Sequence, residues 1–150
     1  MSELSDKKKY EILARLSLMA LYLVFAINVT LGIIAYFIQG KTGMQTVSES
    51  LLIRNIFLGL AFVELAALQF IKKTLLAKVP EFSENSQVPY QQLLTITYVI
   101  AGLCVSIAVY GFILVLLGGD YDYMLLFVAI SLIGFQLFRI RKKDLDKLGT

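Results

Sequence analysis

The chain has 150 residues, of which 58% are hydrophobic and 17% charged, with a formal net charge of +3 at pH 7 and a mean hydropathy of +0.76. Ordinary soluble domains are about 45–50% apolar and about 25% charged, so this composition is displaced toward the membrane class on both axes. The absence of His excludes bis-His haem, His-ligated zinc and any nucleophile activated by imidazole, and the single Cys excludes an internal disulfide or a Cys-based metal cage.

Four apolar blocks emerge with a window of about 19 residues. The first, residues 16–38, runs 23 residues, or about 34 Å as a helix, enough to cross a hydrocarbon core of about 30 Å. It exceeds the h-region of a signal peptide and no small-x-small site follows it, so it is read as a retained span. The second, 51–71, carries Arg54 and Asn55 near its start and Glu64 past its middle. The third, 93–117, is the longest and most apolar. The fourth, 123–138, is about 16 residues and short of the usual minimum, so it is expected to borrow the Gly118-Gly119 turn or the aliphatic stem of Arg139.

The cations set the orientation. Lys7, Lys8, Lys9, Arg15, Lys72, Lys73, Lys78, Arg139, Arg141, Lys142, Lys143 and Lys147 flank one side, against Lys41 and Arg54 on the other. The positive-inside rule then places both termini in the cytoplasm, a pattern that suits a plasma (inner) membrane and fits an endomembrane almost as well. Tyr36, Phe37, Tyr121 and Tyr123 fall at the outer interface, where amphipathic rings prefer to sit. The same basic rim reads first as an orientation signal and second as a contact for anionic headgroups. The loop 72–92, in which Pro80 and Pro89 bracket the polar run 81–87, is too short and polar for a domain. Residues 139–150 are expected to continue the fourth helix for a turn or two.

One internal match suggests a duplicated hairpin. Residues 32–40 align with 111–119, keeping both terminal glycines, and 61–70 align with 128–137, placing Glu64 against Ser131. Apolar sequence also produces such matches by chance, so the duplication stays one of two readings.

Glu64 is the residue whose position demands an explanation. It lies about ten residues inside its span with no cation within a helical turn. A carboxylate at that depth costs several kcal/mol unless it is protonated or paired. By residue count its candidate partners are Asn28 and Thr30 on the first span and Ser106 on the third. One reading is an ion- or proton-binding site made by Glu64, Asn28, Thr30 and Ser106; another is a protonated carboxyl serving as polar glue between helices or against a partner subunit. Gly102 with Ser106, and Ala26 with Thr30, are small-xxx-small steps that mark candidate helix-packing faces. Cys104 reads as an apolar filler, and Gln69 and Gln136 as interfacial amides. Asp120 and Asp122 form a solvated outer turn. Dinucleotide and P-loop glycine motifs are absent from the sequence.

The run Ala108-Val109-Tyr110-Gly111-Phe112-Ile113-Leu114-Val115-Leu116-Leu117 resembles the carboxylate-bearing helix of proteolipid (c or K) subunits of rotary ATPases over about ten residues. It departs from that family in three ways: Val105 stands where the essential acid would precede Tyr110 by five positions, neither of the first two spans is a glycine-rich zipper, and the short turns face outward. No residue role is carried over.

The expectation is therefore an all-α membrane protein of four transmembrane helices, arranged as two helical hairpins with both ends inside. The favoured function is a non-enzymatic subunit or scaffold of a larger membrane complex, with the lipid bilayer and other membrane subunits or further copies as partners and no nucleic acid. The alternative is a proton- or cation-linked carrier or channel built on Glu64. No cofactor, metal or catalytic residue is expected.

Overall fold

In the computed structural model, residues 2–39, 47–78, 88–141 and 144 are described, with side chains from 10–39, 51–78, 91–141 and 144. They form four helices: α1 (Ser2–Ile38), α2 (Val47–Leu76), α3 (Val88–Leu116) and α4 (Tyr121–Phe138). Each contains a stretch long and apolar enough to cross a membrane, and no strand occurs among the described residues. In hydrocarbon no water is present to satisfy backbone N–H and C=O groups, and a helix satisfies them internally.

Two boundary expectations are corrected. α4 reaches 18 residues by starting at Tyr121, and leaves the glycine turn outside. It also stops at Phe138 and does not run on: Arg139 has ψ 148, an extended conformation that ends the helix. The carbonyl freed there accepts a hydrogen bond from Lys72 Nζ at 3.2 Å. Residues 145–150 lie outside the described residues.

The turn between α3 and α4 has a clear local cause. Gly119 N–H donates to Leu114 O at 2.9 Å and Gly118 N–H to Val115 O at 3.0 Å, while Gly118 has φ 88. This is a Schellman closure, which needs a left-handed residue where glycine alone carries no Cβ penalty.

α3 is the centre of the bundle. It packs most extensively against α4, then α1, then α2, whereas α1 and α2 make almost no contact with each other. Burial follows the same order, with 44% of the α3 span buried inside the protein but only 11% of the α2 span. The aligned halves of the suggested duplication therefore do not pack alike: Gly111 sits with its ideal Cβ position 2.8 Å from Phe127 Cβ on α4, while Gly32 meets only the Tyr121 hydroxyl at 3.5 Å.

Leu13, Leu76, Leu93 and Ile140 share one buried cluster, so the start of α1, the end of α2, the start of α3 and the residues after α4 gather at one end. Ala35, Val115 and Met124 form a separate cluster at the other end. Arg15, Lys72, Arg139 and Arg141 consequently belong to one end of the molecule. There Lys72 Nζ pairs with Asp144 Oδ2 at 2.7 Å, tying α2 to the segment after α4.

Candidate functional site

Glu64 projects from α2 toward α3, where Ser106 Oγ meets its Oε1. Ser106 Oγ also lies 2.7 Å from the carbonyl oxygen of Leu103, one turn earlier. A serine hydroxyl has one proton and the carbonyl can only accept. When that proton goes to Leu103, the contact with Glu64 requires a proton on the carboxyl; a protonated Glu64 therefore completes both bonds at once. Glu64 Oε2 is buried and has no hydrogen-bond partner among the described residues. Cys104 lies near the same carboxyl, and the Tyr110 side chain is within hydrogen-bond reach of it. Tyr110 lies four residues after Ser106 and so shares its helix face. Its ring stacks on Phe57 of α2 at 5.4 Å and 4° and meets Phe127 of α4 edge-on at 6.5 Å, holding the phenol beside Glu64.

The other expected ligands lie elsewhere. Asn28 is 1% exposed and its Nδ2 donates to Ser131 Oγ at 3.1 Å, joining α1 to α4. Its Oδ1 is buried without a partner among the described residues. Thr30 is exposed and its hydroxyl donates to the Ala26 carbonyl at 2.8 Å, within α1. The structure thus brings Glu64 and Ser106 together, gives Asn28 a different partner, and leaves Thr30 outside. The packing faces divide similarly. Ala26 and Gly102 are exposed, with open space around Gly102, whereas the close approaches fall at Gly111 and Gly134.

Three participants escaped the sequence reading. Tyr110 was legible from its four-residue spacing to Ser106. Ser131 was visible only as the residue aligned with Glu64. Arg54, near the start of α2, stands 5.6 Å over the Tyr123 ring, and its Nε and Nη2 donate to Asn55 Oδ1 at 3.2 and 3.0 Å. A cation over an aromatic face at an interface is held without a buried carboxylate. Among the described residues no three His, Cys, Asp or Glu side chains gather.

Comparison with known protein families, curated proteins and solved structures gives no match.

Proposed function

We propose that the chain is a small, non-enzymatic integral membrane subunit that assembles with other membrane-spanning chains or with copies of itself. It is read as four spans with both termini cytoplasmic in a plasma (inner) membrane, an orientation supported by the gathering of Arg15, Lys72, Arg139 and Arg141 at one end of the bundle; α3 and α4 pack as a helical hairpin, whereas α1 and α2, expected to form the other, barely touch. The observation that carries the proposal is the use made of the intramembrane polar groups. Asn28–Ser131 and Glu64–Ser106 are two separate helix-to-helix bonds, and Asn28 Oδ1 is left buried and unpartnered among the described residues. Such bonds are interhelical glue. An acceptor without a donor in hydrocarbon is costly, and a neighbouring helix carrying a hydroxyl or amide would relieve it. Extraction of the tagged full chain from its native membrane in mild detergent tests this. The expected result is co-migration with a second chain or further copies; a lone monomer with nothing bound overturns it.

A second reading, a proton- or cation-linked carrier, is favoured by one observation: Glu64 is only half-buried and shares its site with a serine hydroxyl and a phenol. Because Asn28 and Thr30 lie elsewhere, a bare cation would find few oxygens here, so a proton is the better-suited cargo. Proteoliposome proton flux should fall in Glu64→Gln; unchanged flux rejects this reading.

A further inference from the structure

At the basic end of α4 a shallow groove of about 340 Å³ runs along the outside of the helix, lined by Leu132, Ile133, Gln136, Leu137, Arg139 and Arg141. Its two halves differ in chemistry. Ile133 is 60% and Leu137 59% exposed, giving the groove an apolar wall that faces away from the bundle. Arg139 and Arg141 complete its lining.

Depth places those groups. The 18 residues of α4 rise about 27 Å, close to a whole hydrocarbon thickness of about 30 Å. With Tyr121 at one interface, Arg139 and Arg141 stand at the level of the opposite headgroups.

Local hydrogen bonds then aim the charges. Asp144 Oδ2 accepts from Lys72 Nζ at 2.7 Å and from the Arg141 backbone N–H at 2.8 Å, which pins the chain just after α4. Arg141 Nη2 donates to the Gln136 carbonyl at 3.0 Å, folding that guanidinium back toward the end of α4. No carboxylate is paired with the guanidinium of Arg139 or Arg141 among the described residues. A planar guanidinium offers paired N–H donors that match a phosphate.

We propose that this groove binds an anionic phospholipid, its phosphate held between Arg139 and Arg141 and the upper part of an acyl chain lying along Leu132, Ile133 and Leu137. A phospholipid supplies both halves, an anion at headgroup level and a hydrocarbon chain directed into the bilayer; a soluble anion supplies only the first. An acidic segment of a partner protein would leave the apolar wall unused. The site requires that the chain be embedded in a bilayer and is independent of its role as a subunit, so its failure would leave that role standing.

The test uses the full chain in nanodiscs of equal phosphatidylcholine and phosphatidylglycerol, with retained lipids counted by native mass spectrometry. Phosphatidylglycerol is expected to be enriched on the protein. Arg139→Gln and Arg141→Gln should each lower that enrichment roughly fivefold, as expected for losing one cation near an anionic surface. Arg139→Lys with Arg141→Lys keeps the charge but loses the paired N–H donors, so it should retain part of the enrichment, more than the double glutamine variant, and serves if the glutamine variants fold poorly. Equal retention of the two lipids, or full enrichment in the double glutamine variant, overturns the site. Complete displacement of the lipid by inorganic phosphate would also overturn it, since the anion alone would then suffice. A photo-crosslinker in place of Leu137 should capture lipid in native membranes; capture of a protein there would reassign the groove to a partner.

Discussion

At mid-bilayer depth a side chain that loses its hydrogen-bond partner has no water to replace it, so each polar pair here can be tested by removing one member. Ser106→Ala strips Glu64 Oε1 of its partner and is expected to destabilise the fold by about 0.6–2 kcal/mol, measured by denaturation in mixed micelles. Glu64→Gln should be close to neutral, because the amide offers both a donor and an acceptor to Ser106, as the protonated carboxyl does. If Glu64→Gln is instead the more damaging of the two, a neutral carboxyl is the wrong description of the site. Asn28 and Ser131 invite a double-mutant cycle. Asn28→Leu and Ser131→Ala singly should each destabilise, and the cycle should return a coupling of about 0.6–1.7 kcal/mol. The sequence made Ser106 legible as a partner of Glu64 by depth alone. Depth alone also grouped Asn28 and Thr30 with them. It could not separate them, because both the lipid-facing and the core-facing sides of a membrane helix are apolar and so conceal which way a residue points.

The glycines show the same blindness at the scale of the helices. Gly102 belongs to a small-xxx-small step yet has nothing within 4 Å of an added Cβ. Gly111 belongs to no such step as read, but its Cβ would sit 2.8 Å from Phe127 Cβ, 3.1 Å from Met124 Cα and 3.2 Å from the Tyr123 carbonyl. Two of those three are backbone atoms and cannot rotate away. Gly111→Ala should therefore force α3 and α4 apart and destabilise by about 1–3 kcal/mol, while Gly102→Ala should be neutral or stabilising by up to about 1 kcal/mol. Thermal denaturation of the two variants side by side checks both. Spacing predicts where close approach is possible; only the neighbour decides where it happens. The end of α4 is a second case. Charge and leucine alternation after Phe138 are compatible with more helix, but Arg139 turns extended, and its carbonyl is satisfied by Lys72 from α2, 67 residues away in the chain.

For the whole molecule, the strongest architectural fact is the central position of α3 and the peripheral position of α2. Four helices with so little of α2 buried leave much apolar surface for lipid or for another chain, in keeping with the proposed subunit role. Orientation has a direct test. In a Cys104→Ser background, which removes the one thiol, Ala77→Cys should react with an impermeant maleimide only from the cytoplasmic side, and Asp122→Cys only from outside. The opposite pattern would invert the proposed topology and would move the lipid groove to the outer leaflet.

Sequence alone determined that the chain is built of four helices long and apolar enough to cross a membrane, that most of its cations flank one side, and that Glu64 needs a partner. Each of these is a matter of hydropathy, charge and length along the chain, and hydrocarbon imposes them on any arrangement of the helices. Tertiary structure decided which helices touch, that Asn28 binds Ser131 while Glu64 binds Ser106, and that Arg139 and Arg141 stand over an apolar groove. Those outcomes depend on the rotation of each helix about its axis. Close packing around Gly111 and Gly134 and the hydrogen bonds between helices set that rotation, and a nearly uniform apolar sequence does not record it.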